Sequence, residues 1–131
     1  MNTLSPTSVK HLIPIEVLTM HIEQNIVERP FSQALPEIKR KLSGYMSWAT
    51  RIYIGVTTNR HARASRHAQN GWQRMVILYE AWGAKLAADM EHELIAWAQE
   101  CNFNVEHWNA GGGGEGIVGG AETYEVYVLI G

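Results

Sequence analysis

The stretch Arg51-Ile52-Tyr53-Ile54-Gly55-Val56-Thr57-Thr58-Asn59 decides how this chain is built. Ile52, Ile54 and Val56 alternate with Tyr53, Gly55 and Thr57. A period of two, carried by β-branched and aromatic residues, predicts a strand with two differently used faces. Thr57, Thr58 and Asn59 then offer side-chain oxygens to the unpaired N–H groups of a helix start. From Asn59 the chain turns basic, with Arg60, Arg63 and Arg66 beside His61 and His67. Arg63 and His67 are four apart and therefore share one helix face. A tyrosine from the strand would meet an arginine and a histidine from the helix over one cleft. That combination suits a phosphodiester.

Working outward, Asn70-Gly71 is a turn, and Gln73 to Trp82 reads as a second strand. A long helix is expected from Gly83 to Glu100, with Leu86, Met90, Leu94 and Trp97 as its apolar stripe. Glu91 sits at the edge of that stripe, where it can reach a cleft, while Glu93 points away. Trp108-Asn109-Ala110 leads into Gly111 to Gly114, Glu115, Gly119 and Gly120. Glycines let backbone N–H groups approach a ligand. No Lys-Ser/Thr follows, so this is no phosphate loop, and a flexible connector is the alternative reading. Thr123 to Ile130 is a strong β run.

Upstream, Met1 to His11 reads as loose and polar. Pro14 opens an amphipathic pattern of Ile15, Leu18, Ile22 and Ile26, predicting a helix that Arg29-Pro30 ends. A second helix carries Phe31, Leu35, Ile38 and Leu42, with Gly44 as its stop. The expected fold is α+β: a small three-stranded mixed sheet flanked by helices, with two helices at the N-terminus. Residues 1–44 would form a helical segment packed on a core spanning residues 45–131.

A chain of 131 residues, 46% hydrophobic, fits one domain with a real core. Cys101 is its one cysteine, so no disulfide can form within the chain and no thiolate zinc site can be built. No apolar run approaches the ~20 residues of a membrane helix, and no signal peptide is visible. A soluble cytoplasmic protein is expected. The net charge of −2 does not announce a nucleic-acid ligand, but its distribution does. Between Lys41 and Tyr79 there is no acid, while Arg51, Arg60, Arg63, Arg66 and Arg74 fall inside that interval. A local basic face favours a phosphate-bearing partner.

Tyr53-Ile54-Gly55 resembles the second half of the motif that names the GIY-YIG nuclease superfamily. The polar turn, Arg63 and His67 follow in that family's order. Met75 to Glu80 is similar to its next strand. Leu86 to Glu91, closed by Trp97, is similar to its alanine-rich helix with one glutamate. The chain departs from the family at the Gly-Ile-Tyr strand, which is missing before Tyr53, since Gly44-Tyr45-Met46 lies too close for a hairpin. The terminal strand Tyr124 to Ile130 is the better substitute, carried back beside Arg51 to Val56 in a rearranged order. Tyr124 and Tyr127 are then both candidates for the second tyrosine.

The resemblance implies metal-dependent hydrolysis of DNA. Glu91 would hold Mg2+ or Mn2+, Arg63 would bind the scissile phosphate, Tyr53 would activate water, and His67 would assist proton transfer, with Tyr127 completing the site. Asn109 would take the place of the family's late asparagine. Arg51, Thr57, Arg60, Arg66, Gly111 and Gly112 are further substrate-side candidates. The setting expected is the cytoplasm of a bacterial cell or phage-infected host, with a homodimer as an open state. Two other readings stand beside this one. One is a catalytically inactive module that binds a nucleotide or signalling ligand. The other is a phage anti-defence protein working by protein contacts.

Overall fold

The computed structural model describes residues 20–114, 117 and 119–131. The order is β1 (His21–Gln24), α1 (Phe31–Met46), β2 (Arg51–Thr57), α2 (Arg60–Ala68), β3 (Arg74–Trp82), α3 (Ala84–Glu100), β4 (Glu106–His107) and β5 (Thr123–Ile130). The class is α+β. Among the described residues the sheet has five strands rather than three, in the order β1-β3-β5-β2-β4.

Its centre is the C-terminal strand. β5 runs antiparallel to β2 on one side and to β3 on the other. The two added strands are short parallel edges: β1 beside β3, and the two-residue β4 beside β2. Both edges escape a pattern-based reading, because four and two residues are too few to show a period.

The expected pair of N-terminal helices is also corrected. Among the described residues one helix, α1, precedes β2. His21–Gln24 is extended because its backbone partners lie on β3. His21 N–H donates to the Gln73 carbonyl at 2.8 Å, and beyond the strand Asn25 N–H donates to Ile77 at 2.9 Å. Ile22 and Ile26 are four apart, which suits a helix, but nonlocal pairing overrides the local pattern. The loose stretch Met1 to His11 and the helix start at Pro14 lie outside the described residues. The second helix forms as expected, burying Ala34, Ile38, Leu42 and Met46. It continues past Gly44 to Met46.

The alternation along β2 divides the molecule into two layers. Ile52, Ile54 and Val56 pack with Val126, Val128 and Ile130 against α1 and α3. On the opposite face Tyr53, Tyr127 and Leu129 pack against Ala64 and Ala68 of α2, with Trp72 below. Ala64 and Ala68 are the residues that α2 buries. Asn59 starts that helix, its Oδ1 accepting from Ala62 N–H at 3.1 Å. At the start of α3, Gly83 has φ +101, a backbone angle that favours glycine, and its N–H donates to the Glu122 carbonyl at 2.7 Å.

Candidate functional site

Three aromatic rings meet under α2. Tyr53 comes from β2, Tyr127 from the neighbouring β5, and His67 from the helix above. The Tyr53 and His67 ring centroids are 5.3 Å apart, and those of Tyr53 and Tyr127 6.4 Å. His67 Nε2 lies 2.8 Å from the Tyr127 hydroxyl, in hydrogen-bond contact. Tyr127 and Tyr124 are three apart on a strand and so point to opposite faces. Tyr124 is buried in the α1/α3 layer, which leaves Tyr127 as the tyrosine beside Tyr53.

Gly55 makes this arrangement fit. It is paired directly with Tyr127 in the β2–β5 register. A Cβ on Gly55 would run into the Tyr127 hydroxyl, and would meet Tyr53 Cε2 at 3.0 Å.

Tyr127 is fully buried, and burial pushes its phenol well above the ordinary tyrosine range. Tyr53 and Glu91 push it the same way, while the Arg63 guanidinium works against them through its charge and a hydrogen bond. The two charged candidates therefore both act on the Tyr127 hydroxyl. Tyr127 stays a neutral phenol, able to donate its O–H to His67.

Glu91 is 2% exposed, an uncommon state for a carboxylate. It belongs to α3, which packs on the other face of the sheet. The glycine segment closes over it. Gly114 N–H donates to Glu91 Oε1 at 2.7 Å. A Cβ on Gly113 would lie 2.6 Å from the same carboxyl group. Gly113 also lines a cleft of about 220 Å³ with Tyr53, Trp108, Asn109, Ala110 and Gly111. One loop thus touches both the Tyr53 cleft and the Glu91 carboxylate. The buried stripe of α3 is Ala87, Met90, Glu91, Leu94, Ile95 and Ala98, rotated from the expected one. Leu86 is on the exposed side and Glu93 faces solvent.

The substrate-side candidates divide. Arg60 forms a two-pronged ion pair with Glu125. Thr57 is buried, and its Oγ1 donates to the Asn59 carbonyl and accepts from Asn59 N–H, both at 3.0 Å. Asn109 turns both ends of its amide on β2: Oδ1 accepts from Ile54 N–H at 2.9 Å, and Nδ2 donates to the Ile54 carbonyl at 2.8 Å. These three side chains hold the scaffold. Arg51 lies over the Trp72 ring at 3.9 Å and the Trp108 ring at 4.8 Å. Gly111 borders the cleft, Gly112 sits beside the His92 ring, and Arg66 is exposed on α2.

The basic interval is partly neutralised within the molecule. Arg74 pairs with Glu23, whose carboxyl is held below its usual range by hydrogen bonding to that guanidinium. Arg60 is likewise paired, with Glu125, while Lys41 keeps its charge and donates to the Asn25 amide oxygen at 2.7 Å.

Among the described residues no group of three or more His, Cys, Asp or Glu could hold a metal ion. Glu91 accordingly offers a single carboxylate, nearly buried beneath the glycine segment. That fits the sparse mode in which Mg2+ or Mn2+ keeps its waters and leans on substrate phosphate, and it does not fit a closed protein cage.

Sequence patterns gave no role to Trp108, and read Gly113 and Gly114 only as part of a run open to a ligand, not as the cover of Glu91. An aromatic residue beside a glycine run was the signal available for them. No helix in the described residues is long and apolar enough to cross a membrane. The chain matches no family model, no curated protein and no solved structure.

Proposed function

We propose that the protein is a metal-dependent DNA endonuclease, similar to the GIY-YIG nucleases but with the strand that usually comes first supplied last. The observation that carries this reading is the meeting of the Tyr53, His67 and Tyr127 rings under α2, beside a cleft that Tyr53 lines, with the charges of Arg63 and Glu91 both felt at the Tyr127 hydroxyl. The antiparallel seating of β5 against β2 supports the rearranged order.

Each residue then has a task. Tyr127 keeps its proton and donates to His67 Nε2, which fixes the imidazole against Tyr53. Tyr127 is thus a positioning residue. Tyr53, only partly buried and lining the cleft, activates the attacking water, and His67, packed against its ring, orients it. Arg63 offers a planar, permanently charged fork to the phosphoryl oxygens. A divalent cation at Glu91, when bound, would stabilise charge on the leaving oxygen. Gly114 N–H holds one carboxylate oxygen in place and so orients Glu91.

Supercoiled plasmid incubated with Mg2+ or Mn2+ tests this. Nicking is expected, and a chelator should abolish it. Glu91→Gln should abolish it too while leaving thermal stability near wild type, because the amide oxygen still accepts from Gly114. Full cleavage by Glu91→Gln would remove the carboxylate from the mechanism.

A second reading is a non-catalytic module that binds a nucleotide. The depth of Glu91 favours it, since a carboxylate already engaged by a backbone N–H serves structure as well as metal. No cutting under either metal, with nucleotide-dependent thermal stabilisation, would select this reading.

A further inference from the structure

Trp108 stands at the mouth of the Tyr53 cleft, and its 49% exposure is high for so large an apolar ring. It is nevertheless held firmly. Its backbone N–H donates to the Ile52 carbonyl at 2.9 Å, and its indole N–H donates to Glu106 at 2.8 Å. Trp72, which is buried, meets it edge-on at 5.7 Å, and the Arg51 guanidinium lies over its ring. The neighbouring Asn109 is clamped to Ile54. An indole that served only to cover Trp72 would not need its own side-chain anchor and half its surface in water. With Arg51 over one side of its ring, a fixed, half-exposed indole beside glycine backbone can serve as a stacking platform on the other, at which a flat ring binds without ordering the protein further. The cleft it borders, about 220 Å³, lies below the range of about 300–1,000 Å³ that holds a whole drug-sized ligand. It suits one unstacked base.

We propose that Trp108 stacks an unpaired nucleobase of the DNA strand whose phosphate enters the Tyr53 cleft, so that the preferred substrate is single-stranded or locally unpaired DNA rather than intact duplex. This rests on the hydrolytic reading and narrows its substrate. A paired base inside a duplex keeps both faces against its neighbours and cannot offer one to the indole. Arg51 over the ring adds a cation–π contact that holds the indole in place.

The test measures binding in the Glu91→Gln background, without metal, by fluorescence anisotropy of a labelled single-stranded oligonucleotide and of the same sequence as blunt duplex. Trp108→Leu keeps apolar bulk but removes the aromatic face. It should weaken single-strand binding between about fivefold and about a hundredfold, the range found when a stacking aromatic is truncated. Its duplex affinity should barely change. Trp108→Phe, which retains a ring, should stay within about threefold of the parent on both ligands. Matching circular dichroism spectra guard against a folding defect. Equal losses on both DNAs, or no loss on the single strand, would overturn the stacking role. If metal-dependent nicking persists in the Trp108→Leu protein with Glu91 restored, the hydrolytic reading survives that failure. If the parent protein binds neither DNA, both proposals fall.

Discussion

Gly55 stands opposite Tyr127 in the β2–β5 ladder, and the tyrosine hydroxyl fills the space that a Cβ on Gly55 would need. The glycine is there for close approach, because its φ is not in the left-handed region. Gly55→Ala should therefore act by overpacking, at a cost of about 1–3 kcal/mol. Urea unfolding would read the loss. Since Tyr127 would have to leave His67, cleavage should fall further than stability alone explains. Wild-type stability in the alanine variant would mean that the ring has room the structure does not display.

Tyr127 also sets a pH dependence. The unfolded chain releases a tyrosine proton near pH 10, while the buried phenol holds it to higher pH. The folded state therefore binds more protons above that point, and stability falls as pH rises beyond about 10, by up to about 1.4 kcal/mol per pH unit for one such group. Tyr79, raised by burial as well, contributes in the same direction. Well below pH 10, where both states keep the proton, neither group adds slope. Unfolding curves between pH 9 and 11 should be shallower in pH for Tyr127→Phe than for wild type; equal slopes would count against a buried, proton-retaining phenol.

The catalytic assignment of Arg63 can be separated from its structural contact with Tyr127. Arg63→Ala should lower the cleavage rate at least tenfold, about 1.4 kcal/mol of transition-state stabilisation. Arg63→Lys should recover part of that, because it restores charge without the two-pronged fork. A rate unaffected by either change would take Arg63 out of phosphate binding.

What could be read from the sequence was what short-range chemistry specifies. The alternation of β2, the Asn59 cap and the course of α2, β3, α3 and β5 depend on neighbours within a few residues. The pairing of β5 with β2 was legible only through the resemblance, which left a gap that one tyrosine-rich run could fill. The β1 edge was not legible, because Ile22 and Ile26 satisfy a helical spacing and only hydrogen bonds to β3 decide otherwise. The buried stripe of α3 was misjudged for a related reason. Hydropathy favours Leu86 for burial over Ala87 and Glu91, yet the close approach of α3 to the sheet selects small Ala87, and the glycine loop covers the carboxylate. The choice between Tyr124 and Tyr127 needed only parity along the strand once the register was known. The candidate site divided likewise: Thr57, Arg60 and Asn109 are polar residues near the cleft whose hydrogen bonds turn back into the fold.

Asn109 offers the sharpest check on that last distinction. The two-residue β4 pairs with Arg51 and Ile52, so among the described residues no strand lies beside the outer edge of β2 at Ile54. The Asn109 amide supplies the missing donor and acceptor. Asn109→Ala would leave the N–H and C=O of Ile54 without their partners, and would free the loop that carries Trp108 and Gly111. Hydrogen exchange at the Ile54 amide should then speed up selectively, while the amides of the β3–β5 ladder keep their protection. Global stability should fall by about 1–3 kcal/mol, the cost of unsatisfied backbone groups at a part-buried edge. A substrate-binding asparagine would behave the other way: cleavage or DNA affinity would drop with no change in Ile54 exchange. That pattern would return Asn109 to the substrate side of the cleft.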